Sequence, residues 1–292
     1  MPLSDNLRGA LYMNIAMAAF TLNDSAMKAV TQALPLWQAI ALRGALTLGP
    51  LLLIGAVTGG LRLSLPPRDR LVIAIRSLAE VGGTLLFLAA LMHMPLANLS
   101  AILQSLPLAV SLAAWAVFGE RIGWRRMTAI LVGFAGVLII IRPGPDGFDH
   151  WSLMGLASVG CVVVRDLATR ELSRAVPSAT VAVLASVAVT ATGVALTLPA
   201  GWHPVAGDQW VLIVAAASAL VVGYMFVIMV MRVGDIGFVA PFRYTALLWA
   251  IVLGWVGFGT LPDPLTLLGA GLVVGSGIFT LWRERRLRPA TA

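Results

Sequence analysis

The sequence predicts an all-α membrane protein: ten transmembrane helices in two inverted five-helix repeats. Three observations carry this. Apolar residues make up 59% of the 292 positions and charged residues 11%. That is more apolar surface than a soluble core of this size needs, so the surrounding solvent is lipid. The apolar residues fall into ten runs of spanning length, and a short motif occurs twice. Asn23–Lys28 reads Asn-Asp-Ser-Ala-Met-Lys and Arg165–Arg170 reads Arg-Asp-Leu-Ala-Thr-Arg. The shared Asp-x-Ala-x-(Lys or Arg) recurs 142 positions apart, each time closing an apolar segment.

A span needs about 20 apolar residues to cross the hydrocarbon core. The ten runs are Gly9–Met27, Pro35–Val57, Leu71–His93, Leu96–Phe118, Trp124–Ile141, Trp151–Leu172, Ser178–Pro199, Gln209–Met231, Gly237–Phe258 and Leu265–Leu281. They are too long and too continuously apolar for barrel strands, which alternate and are about half that length. Their breaks have turn chemistry. Thr58-Gly59-Gly60 ends the second and Pro66-Pro67 precedes the third. Pro143-Gly144-Pro145 separates the halves, Pro199 and Gly201 end the seventh, and Pro262 and Pro264 flank the start of the tenth. Proline lacks a donor and glycine has a permissive backbone, so both end helices. The first span carries Asn14, Asn23 and Asp24 with only Arg8 before it, unlike a signal peptide.

The basic residues give orientation. With the N-terminus cytoplasmic, 14 Lys and Arg fall in cytoplasmic segments and 2, Lys28 and Arg142, fall outside. The positive-inside rule then places both termini in the cytoplasm of a bacterial-type inner membrane. The net charge of +7 is therefore spread over many loops as a topology signal, and no patch suits a nucleic acid. Trp37, Trp124, Trp151, Trp202, Trp210 and Trp282 fall near span ends, where indole prefers the headgroup level.

Five spans per half is an odd number, so the second half enters the membrane inverted. The domains are thus residues 9–141, residues 151–282 and a basic cytoplasmic tail, 283–292. A second match supports the repeat. Phe118-Gly119 followed by Leu131-Val132 and Gly136 pairs with Phe258-Gly259 followed by Leu272-Val273 and Gly277. Inverted repeats build the two access states of a secondary transporter.

Pro107 stands midway along the fourth span, Gly119-Glu120-Arg121 at its end, and Gly133 and Gly136 in the fifth. By these residues the stretch from Ala89 to Ile141 resembles the second part of an EamA domain of the drug/metabolite transporter superfamily. The second half departs from the pattern, with Thr260 in place of Glu120 and no proline where Pro107 would recur. The resemblance implies ten helices and a carrier of small organic solutes, often an exporter. Within the superfamily the chain looks most like the YddG-type amino-acid exporters.

Ionisable residues inside spans cost at least about 2.5–3.5 kcal/mol at the bilayer centre, so each needs a partner or a purpose. Asp24 with Lys28, Arg76 with Glu80, and Asp166 with Arg170 stand at i,i+4 on a shared helix face. For the first and third pairs two readings stand: local neutralisation, or membership of gates at opposite mouths. Arg76 and Glu80 lie deeper and are expected to line a polar cavity. Arg43 is expected to be structural. Arg243, beside Tyr244, has no acidic residue within a turn; it is either a fork for a substrate carboxylate or one side of an ion pair with Glu80 or Asp166. Gln104 adds hydrogen bonds, and Tyr224 or Tyr244 an apolar surface. The substrate site is thus expected from Arg243, Glu80, Arg76, Gln104, Tyr224 and Tyr244.

The expected function is secondary transport, with export of zwitterionic metabolites and amino acids first. The alternatives are a phosphorylated or nucleotide-linked metabolite or a cationic drug. An intramembrane enzyme is disfavoured: H-E-x-x-H and G-x-S-x-G motifs are absent and His93, His150 and His203 stand at span ends. No cofactor or metal is expected. The partners are a small-molecule substrate and the lipid bilayer. The single cysteine, Cys161, excludes an intrachain disulfide.

Overall fold

The computed structural model describes residues 4–57, 60–61, 64–120, 122–142, 149–173, 175–230, 233 and 236–287. Arg62, Arg121, Arg174, Arg232, Thr58-Gly59, Pro143-Gly144-Pro145 and the last part of the basic tail lie outside these residues. The described elements are helical: α1 (Asp5–Val30), α2 (Leu36–Val57), α3 (Pro67–His93), α4 (Leu96–Leu103), α5 (Leu106–Phe118), α6 (Trp124–Ile141), α7 (His150–Glu171), α8 (Ser178–Thr197), α9 (Gly207–Val230), α10 (Ile236–Val239), a 3-10 turn at Ala240–Tyr244, α11 (Thr245–Phe258) and α12 (Pro264–Leu287). Among the described residues, nine segments are long and apolar enough to cross a membrane. The tenth, α1, is 26 residues long but more polar, through Asn14, Asn23, Asp24 and Lys28. The last helix outruns its expected end at Leu281 and continues to Leu287.

Two expected spans are interrupted. The fourth divides into α4 and α5 at Gln104-Ser105, and the ninth opens as one turn of α10 followed by the 3-10 turn. Proline explains both. Pro107 cannot donate to the Leu103 carbonyl, and its ring crowds that carbonyl. In the ninth span Pro241 acts the same way within the 3-10 turn. A proline at the counterpart of Pro107 is therefore not required, because Pro241 breaks the helix six positions earlier than that counterpart, Leu247. The two interrupted spans also end alike. Gly119 (φ 67°) and Gly259 (φ 64°) are left-handed caps. Their N–H groups donate to the Trp115 and Trp255 carbonyls at 3.1 and 2.9 Å. Trp115 and Trp255 stand 140 positions apart, the offset of the repeat.

The chain forms two compact units, each drawing on both halves of the sequence. One comprises residues 1–21, 94–156 and 222–292; the other comprises 22–93 and 157–221. In the first unit α6 packs on α12 with almost no side chain between them. A Cβ on Gly136 would lie 2.6 Å from the Gly269 carbonyl oxygen, and a Cβ on Gly269 would lie 2.6 Å from that of Gly136. At one end Arg142, the left-handed cap of α6, pairs with Asp263. Asp263 caps α12 by accepting the backbone N–H of Leu265 and of Thr266 at 2.9 and 3.1 Å and the Thr266 hydroxyl at 2.9 Å. These bonds, with the Arg142 guanidinium, hold the Asp263 carboxyl well below the usual carboxylate range.

In the second unit α2 packs on α8 through small residues. A Cβ on Gly193 would meet the Ala41 backbone N at 2.8 Å and the Trp37 carbonyl oxygen at 3.0 Å, and Gly44 faces Thr190. Here too α3 meets α7, where Gly82 and Gly83 lie against Cys161.

Candidate functional site

Among the described residues, three clusters of polar groups within the spans bear on the expected site. The first lies in the unit of residues 22–93 and 157–221. Asn23 on α1 donates its amide to the Asp24 carboxylate at 2.8 Å and accepts from the Arg43 guanidinium on α2 at 3.2 Å. Asn23 and Arg43 are buried. Arg43 is thus structural, tied across helices through an amide. The i,i+4 geometry of Asp24 and Lys28 does not decide their partners: Lys28 reaches over to α3 and donates to the Leu91 carbonyl at 2.5 Å. That carbonyl lies in the last turn of α3, where no intrahelical donor follows.

The second place, in the same unit, is a polar ladder between α3 and the C-terminal part of α7, which run antiparallel. Arg76 pairs with Glu80 at 3.4 Å, as the spacing implies. Arg165 reaches the same carboxylate at 3.4 Å and its neighbour Asp166 at 2.8 Å. The Arg76 guanidinium also donates to the Thr169 hydroxyl at 3.1 Å. Toward the helix ends Arg68 donates to Glu171 at 2.9 Å. The buried Asp69 accepts the Ser173 backbone N–H at 3.2 Å and its hydroxyl at 2.8 Å. The Arg76 and Glu80 side chains are 14% and 18% exposed, so the ladder reaches into the helix pair from its wet end. Arg170 stands exposed in the last turn of α7.

Asn23, Asp69 and Thr169 are the residues that sequence reasoning passed over, and Arg165 was met only as a cation within a span. A signal for Asn23 and for the contacts of Arg165 was present. Asn23 and Arg165 each precede the repeated aspartate, and each donates to it while also reaching a second helix. For Asp69, flanked by Arg68 and Arg70, the sequence looks like an ordinary charged loop.

The third place lies in the other unit, at the two helix interruptions. The buried Gln104 donates its side-chain amide to the Tyr244 carbonyl at 3.1 Å and to the Arg243 carbonyl at 3.4 Å. Tyr244 is buried, its ring seated against Gly277 of α12. The Arg243 side chain is exposed on the 3-10 turn, and no described residue hydrogen-bonds or ion-pairs with its guanidinium. Aromatic rings are plentiful in this unit: Phe238 with Phe242 (5.9 Å between centroids), Phe20 with Tyr224 (5.6 Å) and Tyr12 with Phe226 (5.6 Å). The Trp249 indole donates to the Asn14 amide oxygen at 2.9 Å.

Arginine exposed within an apolar span, broken helices meeting at their interruptions, and an all-helical fold of spanning segments describe a solute carrier. The family comparison agrees: residues 7–142 match the model of the EamA-like transporter family. The chain carries an EamA transporter domain. Over residues 7–142 it is thus similar to EamA-like transporters, and its nine described segments of spanning length make it a multi-pass membrane protein.

Three similar transporters illustrate the range of solutes. A riboflavin transporter of Vibrio cholerae is 28% identical over 286 residues, covering 97% of this chain and 96% of the relative. A pseudopaline exporter of Pseudomonas aeruginosa is 24% identical, covering 91% and 93%. An S-adenosylmethionine uptake transporter of Rickettsia felis is 21% identical, covering 66% and 65%. A crystal structure 21% identical in sequence shares the fold of this chain with a TM-score of 0.65, covering 96% of this chain and 98% of the other.

Proposed function

We propose that this EamA-type protein moves a small polar metabolite bearing a flat ring across the bacterial inner membrane by alternating access, with Arg243 as its anchoring cation. One observation carries the reading. Arg243 is a guanidinium exposed within a span, without a side-chain partner among the described residues. Facing lipid there is costly, so the side chain turns to a water-filled cavity. A guanidinium in low dielectric forks onto a carbonyl or carboxylate oxygen. The rings of the same unit supply apolar surface for a planar solute.

Riboflavin is the first candidate, because the relative with that substrate aligns end to end. Amino acids are the second, on the carboxylate chemistry of Arg243. Glu80 as the amine ligand is the weaker part of that second reading, since Arg76 and Arg165 already compensate its charge. The test is flux of labelled riboflavin in proteoliposomes loaded from either side, with unlabelled amino acids as competitors. Riboflavin movement without amino-acid competition is expected. Movement of an amino acid with none of riboflavin would replace the first reading by the second.

The repeat supplies the rest of the mechanism. Asp24 with Lys28 would sit at the outer mouth and Asp166 with Arg170 at the cytoplasmic one, where the α3–α7 ladder closes the helix pair. Cross-linking near Asp166 should block access from the cytoplasm alone, and cross-linking near Asp24 access from outside alone. If both block the same side, these residues are not opposite gates.

Both termini are assigned to the cytoplasm on the bias of basic residues. A cysteine at Ala206 should react with an impermeant reagent from outside, and one at Gly123 should not. The reverse pattern would invert the topology and the gates with it.

A further inference from the structure

Gln104 belongs to the expected substrate ligands, but its geometry assigns it other work. A side-chain amide has two N–H donors. Those of Gln104 point at two backbone carbonyls, those of Arg243 and Tyr244. Its donor capacity is therefore spent on the protein. The two acceptors lie where the 3-10 turn that Pro241 opens passes into α11: Tyr244 is the N-cap of α11, and the Thr245 N–H is directed to the Arg243 carbonyl. A carbonyl oxygen has two lone pairs, so the amide adds a second donor at this junction.

The same turn is held a second time. Tyr244, the neighbour of Arg243, seats its ring against Gly277, where α12 offers no Cβ. Among the described residues the buried Tyr244 hydroxyl has no hydrogen-bond partner, and the ring is held by its packing on Gly277. Arg243 thus has an exposed head on a turn pinned by an amide at its carbonyls and by a packed ring next to it. A ligand-binding group held this way loses little freedom when the ligand arrives.

We propose that Gln104 is a positioning residue: its amide pins the carbonyls of Arg243 and Tyr244 and so fixes the aim of the Arg243 guanidinium. The proposal rests on the reading of Arg243 as the substrate anchor. It also joins the interruption of the fourth span to that of the ninth at the same offset as the repeat, since Gln104 and Tyr244 stand 140 positions apart.

Two measurements on the full-length protein test it. The first needs no substrate. A nitroxide is attached at position 243 in an Arg243→Cys, Cys161→Ser background, and its mobility is read by electron paramagnetic resonance. Gln104→Met, of similar length and without a donor, should convert half or more of the immobilised signal to a mobile one; an unchanged line shape overturns the proposal. The second uses labelled riboflavin. Gln104→Glu keeps the shape but removes the donors, and should raise KM roughly ten-fold with Vmax within about two-fold, the scale of one lost hydrogen bond. In an Arg243→Lys background, which keeps part of the transport, the same change should leave the residual KM nearly unmoved, because the planar fork that Gln104 aims is already gone. Equal rises in both backgrounds would make Gln104 merely structural and overturn the proposal. If the nitroxide loosens but riboflavin is not carried at all, the substrate reading fails while the positioning stands.

Discussion

Arg243→Gln is expected to abolish transport while the protein still inserts and remains monodisperse. The guanidinium has no partner among the described residues, so its removal leaves no buried acid uncompensated there. What is lost is a charge-assisted bond to the solute, about 1.5–3 kcal/mol, or roughly ten- to hundred-fold in binding. Arg243→Lys should restore only part of this, because a point charge replaces a planar fork. The competing expectation is that Arg243 serves to neutralise Glu80. It requires Glu80→Gln to rescue Arg243→Gln. Glu80 already pairs with Arg76 and Arg165, so no rescue is expected. Uptake by the double variant close to that of the unmodified protein would end the anchoring role.

Gly136→Leu should act on the fold itself. A Cβ at Gly136 falls 2.6 Å from a backbone oxygen of α12, which cannot rotate away as a side chain would. Overpacking a core costs about 1–3 kcal/mol when side chains absorb it, and a larger loss is expected where the opposing atom is backbone. The readouts are yield of monodisperse protein and melting temperature in detergent. Gly271→Ala is the control, since no atom lies within 4 Å of its Cβ position. Equal melting temperatures for Gly136→Leu and the unmodified protein would show that the helices separate more readily than their packing implies.

The fold class was legible because lipid imposes it: a chain this apolar must satisfy its backbone within helices. Span ends were readable to within a turn or two from proline, glycine and tryptophan. Interruptions inside spans were not. Pro107 was visible as a feature of the fourth span, but whether a proline kinks or divides a helix depends on what its neighbours offer the freed carbonyls. At this break stands Gln104, whose amide ties it to the Arg243 and Tyr244 carbonyls of the other interrupted span, a residue that looks like a ligand when only its type is known. The ion pairs show the same limit. The spacing of Arg76 and Glu80 foretold their pairing. Asp24 and Lys28 have the same spacing, yet Lys28 finds a carbonyl of α3 and Asp24 an amide beside it. Nor does spacing reveal Arg165, whose role comes from α3, far away in sequence. Gly269 and Gly271 look alike in the sequence, yet of these two only Gly269 meets a neighbouring backbone.

The interleaving of the two compact units bears on how the protein is made. Ribosomes release the chain from its N-terminus, yet one unit needs residues up to 221 and the other needs α12. At roughly 5–20 residues per second, the 71 residues after position 221 take on the order of 4–14 s to emerge. During that interval α4, α5 and α6 are already threaded into the bilayer, and the Gly136 notch faces lipid or the insertion machinery until α12 arrives to fill it. A stop codon in the loop before α12 would therefore harm helices synthesised long before it, and the first half of the nascent chain should be the part most exposed to quality-control proteolysis.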